Sequence, residues 1–227
     1  MSKSRNKKQN NNNKLEPLEA RTPNQKNYIR AILENDIIIC SGPAGSGKSF
    51  IAAGMAAHQL HRSDMEIDKI IVTRPLVCTG KDLGALPGEI SDKVAPYHYP
   101  MEQHLKHFLK RTWYGHYFNN VAIQYRPLEV MRGATFDNSY MILDEAQNCT
   151  KDQIKMFMSR IGENSKVMIN GDINQNDLRG QSGMEFCMDR LRDVEGVACC
   201  ELTYSDIQRH GIIGRVLQAL EEDNAEI

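Results

Sequence analysis

At 227 residues the chain is long enough for one sizeable core and short for two. Its 41% hydrophobic and 25% charged residues are those of an ordinary globular domain, and no apolar run approaches the roughly 18 residues that span a bilayer, so a membrane-spanning class is not expected. The net charge of −1 is uneven: residues 1–14 carry five of the cations and no acid, which leaves the remainder near −6 and argues against a binder of nucleic acid driven by bulk charge.

In chain order, the Asn-rich basic stretch over 1–19 reads as a disordered leader, too polar to fold and without the apolar stretch of a secretory signal. The remainder, 20–227, reads as one domain. "PNQKNYIRAIL" (23–33) predicts a helix, with Thr22 as its N-cap and Pro23 at its first position. Six short apolar runs then predict strands, at 36–42, 69–75, 121–125, 140–146, 166–172 and 197–202. Their cores are nearly continuous, as in strands covered on both faces. Helices are predicted between them at 49–61, 101–111, 151–161 and 183–193, with a last one over about 210–221. This alternation predicts an α/β fold, a mostly parallel central sheet with helices on both faces. The segment from about 88 to 119 reads as an insertion on that core. Six scattered cysteines form no CxxC pair, so reduced thiols in a cytoplasmic setting are expected.

One stretch carries specific chemistry. "GPAGSGKS" (42–49) fits G-x-x-x-x-G-K-[ST] between a predicted strand and a predicted helix, the setting in which that pattern binds phosphate. Gly42, Gly45 and Gly47 allow the backbone N–H groups of Ala44, Gly45, Ser46 and their neighbours, on the loop that Pro43 opens, to converge on an anion. The helix N-terminus adds partial positive charge. Lys48 brings a full charge to the β- and γ-phosphates, and Ser49 a hydroxyl for Mg²⁺.

The second half of the site is "MILDEAQN" (141–148), an apolar strand ending in two acids. Asp144 is expected to hold Mg²⁺, and Glu145 to orient and deprotonate an attacking water. A kinase must keep water out, so the paired acids speak against one. In "INGDINQND" (169–177), Asp172 and Gln175 are candidates to reach the γ-phosphate or its water. Upstream, Gln25 has an amide suited to adenine's N6 and N7, and Tyr28 is a candidate to stack on the ring; the alternative reading makes the pair ordinary surface and core residues.

With "TPNQKNYIRAI", "GPAGSGKS", "VTRPLV", "LGALPGEISDKVAPY", "RPLEVMRGATF", "ILDEAQNCTKDQIKMFMSRIG", "NGDINQND" and "SDIQRHGII" in this order, the chain resembles the PhoH-like ATPase family over about residues 20–220. The core of that family is similar to the first motor domain of superfamily 1 helicases. The resemblance implies a three-layer, RecA-like P-loop NTPase that binds and hydrolyses ATP with Mg²⁺, with single-stranded RNA or DNA as partner. It carries Gln25 to adenine, Lys48 and Ser49 to phosphate and Mg²⁺, Asp144 and Glu145 to Mg²⁺ and water, and Gln175 to γ-phosphate sensing. Two positions depart from the family pattern. Cys78, Thr79, Gly80 and Lys81 stand where an acidic stretch is usual, and Ala134 where a second arginine is common, leaving Arg74 and Arg132 as the nearest cations by sequence.

Late in the chain, "TYSDIQRHGIIGRV" (203–216) holds Arg209. An arginine at the γ-phosphate accelerates phosphoryl transfer by about 10³–10⁵. Three readings of it stand: a finger acting on a neighbouring subunit in a ring, a hexamer included; a finger over its own nucleotide; or, with His210 and Asp206, a cap on the last helix. For nucleic acid, Lys106, Lys110 and Arg111 are candidate phosphate contacts and Trp113, Tyr114 and Tyr117 candidate base-stacking platforms. The alternative is a helix that packs Leu105, Phe108 and Leu109 on the core, followed by an apolar hairpin. His98, His104 and His107 lack a carboxylate in register for a metal site. A nucleic-acid-stimulated ATPase and an ATP-driven switch acting on a protein partner are therefore the two leading classes.

Overall fold

The computed structural model describes residues 14–62, 66–75, 90–177, 181–208, 212 and 215–216, with the backbone alone over 90–96. The strands are β1 (Ile37–Ser41), β2 (Lys69–Thr73), β3 (Ile123–Tyr125), β4 (Ser139–Leu143), β5 (Lys166–Gly171) and β6 (Val197–Glu201). They form one sheet in the order β3-β2-β4-β5-β1-β6, and every neighbouring pair is parallel. The helices are α1 (Pro23–Glu34), α2 (Lys48–His61), α3 (Ile90–Asn119), α4 (Lys151–Met158) and α5 (Gly183–Leu191). Of the helix expected over 210–221 only Ile212, Arg215 and Val216 are described, and these three are helical and exposed.

Successive strand residues point to opposite faces, and each face has its own core. Ile38, Cys40, Ile70, Val72, Tyr140, Ile142 and Met168 pack beneath α1, α2 and α3. Ile39, Ile71, Met141, Leu143, Val167 and Ile169 pack beneath α4, α5 and the one-turn helix Leu128–Met131. The molecule is thus three layers, helix on sheet on helix, and its continuous apolar strands are those of a doubly covered parallel sheet.

Local chemistry sets the helix starts. The Thr22 hydroxyl accepts from the Gln25 N–H and Pro23 occupies the first turn of α1. Thr150 and Gln153 close a reciprocal capping box on α4. In α2 the small residues Ala52, Ala53, Gly54, Ala56 and Ala57 are buried between the sheet and α3. A Cβ on Gly54 would stand 2.8 Å from the Phe108 ring, so the seam between α2 and α3 closes only on glycine. Leu105, Phe108 and Leu109 are fully buried there, each stabilising by about 1.5–3 kcal/mol.

Three expectations change. Residues 14–19, assigned to the leader, sit on this seam: Leu15 and Leu18 pack on the core, and the Glu16 N–H donates to the Phe108 carbonyl at 3.1 Å. After a break at Lys110 (φ 55°, ψ 160°), α3 resumes where a hairpin was expected. The aromatics of that half-helix divide between the core and the surface, where Phe118 is 47% exposed. Tyr114 is 6% exposed, and Trp113 and Tyr117 pack beside it against His61, whose Nδ1 lies 3.0 Å from the Tyr117 hydroxyl. Tyr114 is thereby covered and removed as a platform for bases, while Trp113 and Tyr117 are partly buried and stack on one another.

Candidate active site

The site lies at the C-terminal ends of the strands, where β1, β4 and β5 deliver loops to one cavity of about 530 Å³. Strand β5 stands between β1, which leads into the glycine-rich loop, and β4, which ends in the paired acids. Gln25, Ala44, Gly45, Gly47, Lys48 and Ser49 line the cavity on the loop side. Asp144, Glu145, Asp172 and Gln175 line it on the other. Six of the nine nucleotide-binding candidates and three of the four catalytic ones therefore meet around one space. Gly42, Pro43 and Ser46 stand behind it and shape the loop. Ser46 is fully buried, and its hydroxyl donates to the Pro43 carbonyl at 2.8 Å.

Gly47 caps α2 at φ 102°, and a Cβ there would lie 3.1 Å from the Gln25 Nε2. The loop path therefore requires glycine at this position. The Lys48 ammonium arches back over the loop and donates to the carbonyls of Gly42 and Pro43, the second at 3.0 Å. Ser49 donates to Asp144 Oδ1 at 2.7 Å. Asp144 is 8% exposed. Burial, and next the Glu145 carboxylate beside it, push its carboxyl above the usual carboxylate range, while Ser49, Arg74 and Lys48 pull the other way. A hydroxyl and a buried carboxylate in contact are hard oxygen donors of the kind that Mg²⁺ takes, and a dication would offset both causes of the upward shift.

Glu145 has a left-handed backbone (φ 57°, ψ 40°), which turns its side chain off the line of β4. One oxygen pairs with the Arg74 guanidinium at 2.9 Å, and the other accepts from Gln147 Nε2 at 2.7 Å. The Gln147 carbonyl oxygen accepts from the Asp172 N–H at 3.1 Å. Asp172 is 4% exposed; its Oδ1 accepts from the Asn174 N–H, and its Oδ2 has no hydrogen-bond partner among the described residues. Burial raises its carboxyl above the ordinary value. Gln175 is held by its N–H on the Asp172 carbonyl at 3.0 Å.

Gln25 is 4% exposed and its amide is engaged. Oε1 accepts from the Arg21 N–H at 2.9 Å, while Nε2 donates to the Ser46 carbonyl at 2.9 Å and, more weakly, to that of Asp206 at 3.4 Å. Of the two readings of Tyr28, the structure bears out the core one and excludes stacking on a base. Its ring is fully buried in the core and its hydroxyl donates to Asn170 Oδ1 at 2.6 Å.

Arg209 and His210 lie outside the described residues, as do Cys78, Thr79, Gly80 and Lys81. Asp206, expected as a partner for the last helix, is fully buried instead as a clamp. It accepts from the Thr22 hydroxyl, from Asn24 Nδ2 at 2.9 Å and from the Thr203 N–H at 2.6 Å. Burial alone would raise its carboxyl, but these donors outweigh it and hold the group below the usual range. Two residues on, the Gln208 N–H donates to the Gly45 carbonyl at 3.2 Å. Thr203-x-x-Asp206 is a capping-box pattern, a signal that was available in the sequence. Its reach to α1, over 184 residues of separation, was not.

His98, His104 and His107 are spread over packing contacts. His98 is 3% exposed against Tyr125, and His104 and His107 both touch the Phe50 ring. Burial first, then Arg74, lowers the His98 imidazole to about 4, so it is neutral at pH 7. Arg132, one of the two nearest cations by sequence, is exposed, whereas Arg74 lines the cavity.

A parallel three-layer sheet with this loop at the head of α2 and paired acids across one intervening strand defines the protein as a P-loop NTPase of the RecA-like class. In solved structures the fold is similar to the large terminase of a thermophilic bacteriophage, at a TM-score of 0.55 and 12% identity over 89% of this chain and 50% of that one. A second crystal form of that terminase, in complex with ADP, gives 0.53 and 14%, over 87% and 49%. Within this class the chain belongs to the PhoH-like family, whose model, described as PhoH-like protein, matches residues 17–221. It is 41% identical over 208 residues to the PhoH-like protein of Synechocystis sp. and 38% identical over 215 residues to that of Bacillus subtilis. It is 40% identical over 207 residues to Protein PhoH of Escherichia coli. These matches cover 91%, 94% and 89% of this chain but 63%, 67% and 58% of the three relatives, so the chain spans about three fifths of their length.

Proposed function

We propose that the chain binds ATP with Mg²⁺ and hydrolyses it. The observation that carries this reading is the convergence of Lys48, the Ser49–Asp144 pair and Glu145 on one cavity. Bound Mg²⁺, held by Ser49 and Asp144, would offset phosphate charge. In the reaction a water oxygen attacks Pγ, the bond from Pγ to the β,γ-bridging oxygen breaks, and ADP leaves. Glu145 takes the proton from the water. Lys48 exchanges its loop carbonyls for phosphate oxygens, and Gln175 reports the γ-phosphate. Gln25 meets adenine with the second lone pair of Oε1 and the hydrogen now spent on the long Asp206 contact. The ADP held by the phage terminase supports a nucleotide in this cavity.

Single-stranded RNA or DNA remains the partner we propose, on the strength of the helicase-like motif set, with the protein in the cytoplasm and working as a homo-oligomeric ring in which Arg209 serves a neighbouring subunit. Two observations favour other readings. The anchoring of Gln208 on the Gly45 carbonyl supports an Arg209 that acts on its own subunit's nucleotide. The burial of Tyr114 and the packing of Trp113 and Tyr117 support a switch that acts on a protein.

Hydrolysis by the parent, Lys48→Ala and Glu145→Gln, measured at low salt with and without single strands, tests all of this. The alanine variant is expected to lose ATP retention. The glutamine variant is expected to keep it and lose about a hundredfold or more in turnover. Parent-like turnover by Glu145→Gln would refute the mechanism. Absence of stimulation by any strand would leave the protein-directed switch.

A further inference from the structure

The base of the proposed reaction is occupied. Arg74 follows directly on β2 and forks between two acceptors, with one nitrogen on Glu145 Oε1 at 2.9 Å and another on the Tyr97 carbonyl of α3 at 3.0 Å. Its side chain is 25% exposed and that of Glu145 39%, and both line the nucleotide cavity. The second oxygen of Glu145 is taken by Gln147, whose own carbonyl oxygen receives the Asp172 N–H. Asp172 in turn carries the N–H of Gln175 on its backbone oxygen. One continuous line of hydrogen bonds therefore runs from α3 through Arg74, Glu145 and Gln147 to the turn that presents Gln175. It crosses the C-terminal ends of β2, β4 and β5.

We propose that Arg74 is a γ-phosphate ligand that latches Glu145 until a triphosphate is present. The inference rests on the ATPase reading and deepens it. With one oxygen on the guanidinium and the other on the Gln147 amide, the carboxylate is engaged at both of the atoms that would meet a water. A γ-phosphate offers the same guanidinium three oxygens and more than one negative charge, in the planar two-point geometry that arginine prefers. Its arrival draws Arg74 off Glu145 Oε1 and off Tyr97, frees the carboxylate for water and leaves a cation on the group being transferred. ADP has no γ-phosphate, so it leaves the pair closed. Arg74 thus ties the availability of the base to the identity of the nucleotide, and the Tyr97 contact passes the same event to α3.

The test is equilibrium binding of a fluorescent ADP and of a nonhydrolysable ATP analogue, with Mg²⁺, to the full chain and its Arg74→Ala and Arg74→Lys variants. Melting curves establish that each variant is folded. Arg74→Ala is expected to weaken the ATP analogue by about tenfold or more and ADP by no more than about twofold, with Arg74→Lys in between, since lysine keeps the charge and loses the fork. Single-turnover hydrolysis at saturating ATP is expected to fall in the same order. If Arg74→Ala keeps the parental preference for triphosphate, or weakens both nucleotides equally, the latch is wrong while the ATPase reading stands. If the parent chain retains neither nucleotide, both are wrong. Should the alanine variant not fold, the lysine variant decides alone, and an unchanged preference there overturns the proposal.

Discussion

Asp206→Asn isolates what one buried charge contributes to the pocket. The carboxylate is fully buried and accepts four hydrogen bonds: one from Thr22 on Oδ1, and three on Oδ2 from Asn24, the Thr203 N–H and the Thr203 hydroxyl. Asparagine keeps one oxygen, which still serves the three donors on that side, but as a neutral acceptor. Its amide NH₂ then faces the Thr22 hydroxyl, which can rotate to accept. The loss is therefore the charge assistance on the bonds and not the bonds themselves. Charged hydrogen bonds contribute about 1.5–3 kcal/mol against roughly 0.5–1.5 for neutral ones, and the three on one oxygen share its charge, so a loss of about 2–3 kcal/mol follows. In a domain of this size that is a fall in melting temperature of roughly 4–12 °C at pH 7. The sign with pH is fixed by the direction of the shift. Asp206 lies below its ordinary value in the folded chain, so the parent's advantage is complete above the unfolded carboxylate range near 3.9 and is lost as pH falls through the folded value. Melting curves and urea titrations of both proteins between pH 7 and pH 3 read this directly. A variant within 1 °C of the parent at pH 7, or a gap that opens as the pH is lowered, would refute the account.

The remaining predictions concern the loop and the core beneath it. Gly47→Ala places a side chain at φ 102° and 3.1 Å from Gln25 Nε2. It is expected to cost about 1–2 kcal/mol and, by deforming the phosphate cradle, to weaken ATP by about tenfold or more, read by equilibrium binding. Tyr28→Phe removes the 2.6 Å bond to Asn170, whose Nδ2 already has no partner among the described residues. With the whole amide then unsatisfied, a loss of about 1–3 kcal/mol is expected in urea titration, with ATP affinity unchanged once the variant is folded.

The fold was legible wherever a residue's neighbours in sequence were also its cause. All six strands were marked by short apolar runs, because a sheet covered on both faces leaves no polar alternation to confuse them. The Thr22-Pro23 start of α1 and the loop at 42–49 were legible for the same reason, since cap and phosphate cradle are built from consecutive residues. What was misread or left open depends on partners far away in the chain. Nothing near Tyr28 announces that its hydroxyl meets Asn170 on β5, and so stacking stayed open as a reading of a buried ring. Leu15 and Leu18 looked like the end of a polar leader because the groove that receives them lies on α2 and α3. The Arg74–Glu145 pair joins the ends of β2 and β4, 71 positions apart in the numbering, and the sequence offered Arg74 only as a nearby cation. The aromatic run after Lys110 carried the composition of a stacking surface and the spacing of a helix. Packing against His61 decided between them.

The position of β1 governs how this protein comes into being on the ribosome. Both of its neighbours, β5 and β6, are encoded more than a hundred residues downstream. Ile37, Ile38 and Ile39 thus emerge during translation with no strand to pair with until residues 166–201 have followed them. Until then the tripeptide is an unpaired apolar segment of the kind that favours aggregation. The loop that β1 feeds consequently gains its sheet support only once residues 166–201 have been made.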